Sequence, residues 1–302
     1  MSIKRLAPWM LVLVTIIWGS GFVASQAAID GGYSSSFIMF GRFTAAALTV
    51  GLFFHNKLRG FRKQEFLMSL ISGILLFASF LIQTVGLRYT TPSKNAFLTA
   101  TNVVMVPFIY WVIAKRRPSI AAFFSAVICF VGVSILSVDF SEGFVFQAGD
   151  LLSLLCAFFF ALHMVVIDRF AARMDALRLT FGQLTGAALC ALILCLIRLP
   201  QAMEDIRLLT SPGAARTGAF AILYLGLFST CLCYFLQTHA QVHVEASKAA
   251  LILCMESVFG TLFSILFGYE HLKLTMIIGG LMILFSILFA ELKSGEKDER
   301  AA

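Results

Sequence analysis

Two ionisable side chains, Arg42 and Glu256, stand deep inside apolar runs of this 302-residue sequence. A charge at the centre of a bilayer costs about 2.5–3.5 kcal/mol on insertion scales, so each must face protein or water and find a partner there. A carboxyl in such a place can change protonation or hold a cationic group. The structural alternative for both is an Arg42–Glu256 pair, or hydrogen-bonded glue between helices. Gln83 and Gln237 put amides on two further runs, which suit a small polar solute and inter-helix hydrogen bonds alike. His163 adds an imidazole, more commonly a satisfied interfacial group than a ligand or proton carrier. Trp18 lies halfway along the first run beside Gly19 and Gly21, too deep for the interfacial aromatic belt, and reads as the wall of a cavity.

The elements that must position these groups follow from composition. The chain is 60% hydrophobic and 13% charged, against roughly 45–50% and about 25% in soluble domains. A water-soluble core of this size could not hide so much apolar surface, which excludes a cytosolic globular enzyme, a disordered chain and a secreted disulfide scaffold. The seven cysteines lie inside apolar runs with no Cys-x-x-Cys pair, and read as small buried hydrophobes.

Ten apolar runs of spanning length are predicted as helices, near 7–28, 35–54, 66–87, 96–114, 120–138, 149–168, 179–199, 217–238, 248–268 and 275–292. Ser34–Ser36, Thr91-Pro92 and Ser211-Pro212 offer a capping hydroxyl, the last two followed by proline at the first helical position. Lys4 and Arg5 ahead of the first run imitate a signal peptide, but the length of the run and the lack of a small-x-small cleavage site favour a retained span. Counted over loops and termini, Lys and Arg divide 16 to 6 between the two sides. The richer side includes Arg59, Arg116 and Arg117, and the positive-inside rule makes it cytoplasmic. Both termini are therefore expected in the cytoplasm of a multi-pass inner or plasma membrane protein, with the acidic loop around Asp139 and Glu142 outside. The same rule accounts for the net charge of +7 without a nucleic-acid partner.

The halves echo each other. Residues 40–48 (FGRFTAAAL) match 181–189 (FGQLTGAAL) at six of nine positions. At an offset of 154, Gln83-Thr84 corresponds to Gln237-Thr238, Ser93-Lys94 to Ser247-Lys248, and Ala96 to Ala250. These echoes predict a duplicated five-helix unit, residues 1–139 and 140–302. An odd number of spans per unit inserts the second copy upside down, the build of many secondary transporters. Arg42 then has Gln183 as its mate, and Glu256 has Asn102. Gly182-x-x-x-Gly186 and Gly41-x-x-x-Ala45 are small-xxx-small packing motifs. Pro107 should kink the fourth span, and its counterpart Gly260-Thr261 is a second weak point.

The order of short motifs resembles the drug/metabolite transporter superfamily and, within it, the ten-helix EamA-type permeases. Trp18-Gly19, Gly41-Arg42-Phe43, the stretch from Val85-Gly86-Leu87-Arg88-Tyr89-Thr90-Thr91-Pro92 to Pro107, and Gly268-Tyr269-Glu270 carry the likeness, which spans essentially the whole chain. Phe159-Phe160 stands where the sixth span of the family usually has Trp. The resemblance implies alternating access around a midplane cavity among spans one, three, four, six, eight and nine, with spans five and ten peripheral. It also implies secondary active or facilitative transport, as export, of amino acids, metabolites or amphipathic drugs. Trp18, Gln83, Asn102, His163, Gln237 and Glu256 are the expected substrate contacts, with Arg42, Gln183 and Pro107 as structural or coupling support.

The sequence contains no phosphate-cradling Gly-x-x-x-x-Gly-Lys loop, no His-Glu-x-x-His and no dense ligand cluster, so no ATPase, metal site, cofactor or enzymatic activity is expected. A small-molecule substrate and the lipid bilayer are the expected partners, and a homo-oligomer is compatible with the sequence. Two rival readings are a non-transporting scaffold or sensor, and a polytopic membrane enzyme, which would need catalytic groups clustered near one interface.

Overall fold

The computed structural model describes residues 3–58, 60–115, 120–137, 148–269 and 271–301. Asp139, Glu142, Arg59, Arg116, Arg117 and Glu270, all used in the sequence reading, lie outside them. Regular structure among the described residues is helical throughout. Eight helical stretches are long and apolar enough to cross a membrane, and two shorter apolar stretches occur at Phe123–Gly132 and Leu274–Ser286. Large apolar side chains such as Leu52, Phe53, Ile197, Phe220 and Leu266 are exposed on the outer faces, an arrangement that only a lipid solvent stabilises.

The first half contains α1 (Ile3–Asp30), α2 (Ser35–Phe54), α3 (Lys63–Leu87), α4 (Pro92–Ala100), α5 (Asn102–Ala114) and α6 (Ile120–Ser137). The second contains α7 (Ala148–Ala171), α8 (Ala176–Ile197), α9 (Leu199–Leu208), α10 (Ala214–Tyr224), α11 (Cys233–Gln241), α12 (Ala246–Leu253), α13 (Met255–Leu266) and α14 (Leu274–Ala301). A wide π-helical turn, Leu225–Leu232, joins α10 to α11. Ser34 and Thr91 cap α2 and α4 as their hydroxyls predict, accepting from the amides of Phe37 and Lys94. Ser211-Pro212 does not: the chain turns through Gly213 at φ 74°, a left-handed conformation that glycine adopts freely, and α10 begins after it. The short α9 was not foreseen. Its buried Asp205 accepts hydrogen bonds from the amide and hydroxyl of Ser34, which pins α9 across the start of α2.

Helices from the two halves interleave. α1 packs on α12–α13 and on α10–α11; α2 packs on α8 and on the π turn; α3 packs on α7 and α8; α4 and α5 pack on α7; α6 packs on α14. Glycine permits the closest of these approaches. A Cβ on Gly182 would collide with the Ser69 side chain, and one on Gly73 would meet the backbone of Gln183, Gly186 and Ala187 below 3.0 Å. The expected small-residue motif on α8 therefore seats it against α3, while Gly41 and Ala45 of α2 meet Ile222 and Gly226.

Two spans are broken in the middle. α4 gives way to α5 at Thr101, and α12 to α13 at Cys254. The interruptions do not fall at the weak points read from sequence: α5 runs through Pro107, and α13 runs through Gly260-Thr261. Proline is not the shared cause, since Met255–Leu266 contains none. Hydroxyl and thiol groups satisfy the carbonyls that the breaks release. Thr101 Oγ1 donates to the Leu98 carbonyl at 2.6 Å and Ser257 Oγ to the Cys254 carbonyl at 2.8 Å. Cys254 Sγ donates to the Ala100 carbonyl at 3.3 Å, so each break touches the other.

Candidate functional site

A pocket opens where the two breaks meet. Trp18, Gln83, Asn102, Gln237 and Glu256 all line it, as does Arg42. Each is delivered by a different span. Asn102 is the first residue of α5 and Glu256 the second of α13, so both sit in the first turn of a half-helix, where backbone amides lack partners within that helix. Gln83 and Gln237 occupy the matching positions on α3 and α11. The walls between these polar groups come from Phe80, Phe160, Met164 and Leu253.

Arg42 does not pair with Glu256. Its Nε donates to Thr230 Oγ1 at 2.9 Å and its Nη2 to Ser229 Oγ at 3.4 Å, both on the π turn, and its guanidinium lies 3.9 Å from the centroid of the Phe80 ring. Hydrogen bonds and the ring face together hold a charge that is only 1% exposed. Trp18 Nε1 donates to the Ser229 carbonyl at 2.8 Å, so the π turn, by shifting its own ladder, receives both the arginine and the indole. Gln83 Nε2 donates to Thr99 Oγ1 at 3.2 Å. The Gln237 Oε1 atom is buried with no hydrogen-bond partner, and the Glu256 carboxyl has no hydrogen bond or ion pair to any described residue. The pocket thus presents one ordered cation, one unengaged carboxyl and amides with spare capacity.

His163 departs from its expected place. It stands behind the pocket wall, where its Nε2–H donates to Gln183 Oε1 at 2.8 Å while Gln183 Nε2 donates to Thr238 Oγ1 at 3.1 Å. The Tyr234 ring meets it edge-on at 5.8 Å. Gln183, the mate of Arg42, is consequently a partner for histidine and not a pocket group, and Pro107 is absent from the lining as well. Sequence reading had missed Thr99, Ser229 and Phe160 in the lining. The repeat offset held a signal for one of them: Thr99 is the mate of Leu253, three residues before Asn102 and Glu256.

Comparison with known proteins is decisive for the family. The EamA-like transporter family model matches twice, over residues 5–138 and 147–292. The chain belongs to the EamA-like transporter family. Among relatives of this EamA-like protein, an uncharacterized transporter of Archaeoglobus fulgidus is 30% identical over 293 residues, 97% of this chain and 88% of that protein. The uncharacterized transporter YvbV of Bacillus subtilis (strain 168) is 24% identical over 298 residues, 97% of this chain and 93% of its own. A solved crystal structure superposes with a TM-score of 0.74 at 16% identity, covering 97% of this chain and 98% of that one, which shows a common fold. The EamA-like chain is accordingly a multi-pass membrane protein whose relatives are named as transporters.

Proposed function

We propose that this EamA-like protein is a secondary transporter that moves small organic solutes such as amino acids, metabolites or amphipathic drugs by alternating access around the pocket between α4–α5 and α12–α13. The observation that carries the reading is the unengaged Glu256 carboxyl facing, across one pocket, the fixed Arg42 guanidinium and the amides of Gln83, Asn102 and Gln237. A few convergent polar groups among aromatic walls are the usual make-up of a small-molecule site, and a broken helix at membrane depth is tolerated where it lines a cavity.

The ten-span plan, with residues 1–139 and 140–302 as inverted repeats, is part of the proposal. Reciprocal packing supports it. Taking spans six to ten as mates of spans one to five, the contact of span one with eight is repeated by six with three. That of one with nine is repeated by six with four, and that of two with eight by seven with three; two with seven and five with ten map onto themselves. Such reciprocity is what a two-fold axis in the membrane plane requires. Both termini would face the cytoplasm of the cell's inner or plasma membrane.

The test is flux. Purified protein in proteoliposomes should accelerate uptake or counterflow of at least one amino acid, metabolite or cationic drug, and Glu256→Gln should flatten any pH dependence of that flux. Absence of flux across a broad panel, with folded protein verified, overturns the transport reading. An unchanged pH profile in Glu256→Gln removes that carboxyl from the coupling step.

A further inference from the structure

We propose that Asp150 and Asp168, at opposite ends of α7, are positioning residues that latch shut two gates of the transport cycle, each gate being the first half of a broken span. The inference rests on the alternating-access reading above and assigns its control to residues outside the pocket.

Asp150 is the third residue of α7 and is 1% exposed. Its Oδ2 lies 2.7 Å from Lys94 Nζ, in the first turn of α4, and its Oδ1 accepts from Thr90 Oγ1 at 3.2 Å, just before that helix. Asn95 Nδ2 adds a bond to Ser153 Oγ at 2.9 Å, again from α4 to α7. At the other end of α7, Asp168 Oδ1 accepts from the amide of Ala246, the first residue of α12, at 3.1 Å. That bond is not ordinary self-capping. Glu245 occupies the cap position of α12 and makes no capping bond with its side chain, so the start of α12 is held by another helix.

The two carboxylates are eighteen residues apart on a continuous helix, about 27 Å at 1.5 Å per residue, close to the thickness of the hydrocarbon layer. They lie at opposite membrane faces. Between them α7 contributes Phe160 and Met164 to the pocket. From the latch at Lys94, α4 runs inward to Thr99 in the pocket wall and then breaks; from the latch at Ala246, α12 runs inward to Leu253 and then breaks. Each half-helix is therefore a lever with a polar catch at its membrane-face end, a wall residue near its inner end and a hinge beyond it. The two half-helices are mates at the repeat offset, Ser93-Lys94 matching Ser247-Lys248 and Thr99 matching Leu253. In the structure both catches are engaged.

Alternating access requires that release of one gate favours closure of the other, because both states share one rigid partner. Hydrogen–deuterium exchange, read helix by helix on full-length protein in detergent without solute, tests this. Asp150→Asn should raise amide exchange in 92–100 by about fivefold, the scale set by loss of one partly exposed ion pair, and lower it in 246–253. Asp168→Ala, which removes the acceptor for the Ala246 amide, should do the reverse. Lys94→Gln, which removes the outer catch from its other side and leaves Asp150 in place, should reproduce the Asp150→Asn pattern and guards against misfolding of that variant. A rise confined to the helix next to the substitution, a rise in both helices, or no change overturns the proposal, since a purely structural contact loosens its surroundings without tightening the opposite face. The measurement needs no substrate, so loss of reciprocity and loss of flux are separate results.

Discussion

An alanine at Gly19 would set its Cβ 2.5 Å from the Cβ of Phe259 and 2.7 Å from the amide nitrogen of Gly260. Carbon atoms pack at about 3.5–4.0 Å, so α1 and α13 would have to separate by about 1 Å. Overpacking of this kind costs about 1–3 kcal/mol. Alanine returns about 1 kcal/mol through its better helix propensity, leaving a net loss of up to about 2 kcal/mol. Gly21, half a turn away on the same helix, is the control. Its Cβ would meet Ser229 Oγ at 3.0 Å and Ser229 Cβ at 3.7 Å, a milder contact that a shift of a few tenths of an ångström relieves. Gly21→Ala should be neutral, or stabilise by up to about 1 kcal/mol. The two variants should therefore differ by about 1–3 kcal/mol, an apparent Tm gap of several degrees at about 2–4 °C per kcal/mol. The seven cysteines are free and six are buried, so a thiol-reactive fluorophore reports unfolding on heating as it reacts with the thiols that become exposed. Equal melting of the two variants, or a Gly19→Ala protein that melts above Gly21→Ala, refutes the close approach of α1 and α13.

The remaining predictions concern the pocket and its supports. Trp18→Phe should cost about 1 kcal/mol by removing the bond to the Ser229 carbonyl, and should abolish any solute-dependent change in tryptophan emission, leaving Trp9 and Trp111 as unresponsive reporters. His163→Leu and Gln183→Leu should each destabilise by about 1–3 kcal/mol because each strands a buried polar group. The double variant should lose less than the sum, and strict additivity in melting would show that the two do not interact. Asp205→Ala should release α9 from α2 at a cost of about 1–3 kcal/mol, read as faster proteolysis within 199–211 while cleavage elsewhere stays unchanged.

What was legible in the sequence was what periodicity and charge encode. Eight of the ten apolar runs reappear as helical stretches long enough to cross a membrane and the other two contain shorter apolar stretches, and the charge stranded at 42 and 256 faces one pocket because a bilayer leaves it no other place. Duplication carried more: by pairing Gln83 with Gln237 and Asn102 with Glu256 it named four lining residues before any geometry was known. The misses have a common character. His163 looked like a pocket group because its polarity was visible and its partner was not; Gln183, twenty residues away, accepts its hydrogen bond. Pro107 lies within α5, whereas the breaks at Thr101 and Cys254 carry no proline and are marked only by hydroxyl and thiol groups bonding to nearby carbonyls. Nothing local announces the π turn at Leu225–Leu232 either, since what stabilises it is a guanidinium and an indole from the other half of the chain.

Interleaving has a consequence for how such a chain is made. Arg42 enters the bilayer early, yet its hydroxyl partners Ser229 and Thr230 are about 190 residues downstream. At about 5–20 residues per second the ribosome needs roughly 10–40 s to supply them. Throughout that interval the first half of the chain holds a cation that lacks its hydroxyl partners, and bares the faces that α8, α12 and α14 will later cover. Waiting half-assembled in this way invites capture by an insertion chaperone, or by the second half of a neighbouring copy. Cells that make this protein must keep the nascent first half apart from its siblings until its own second half arrives.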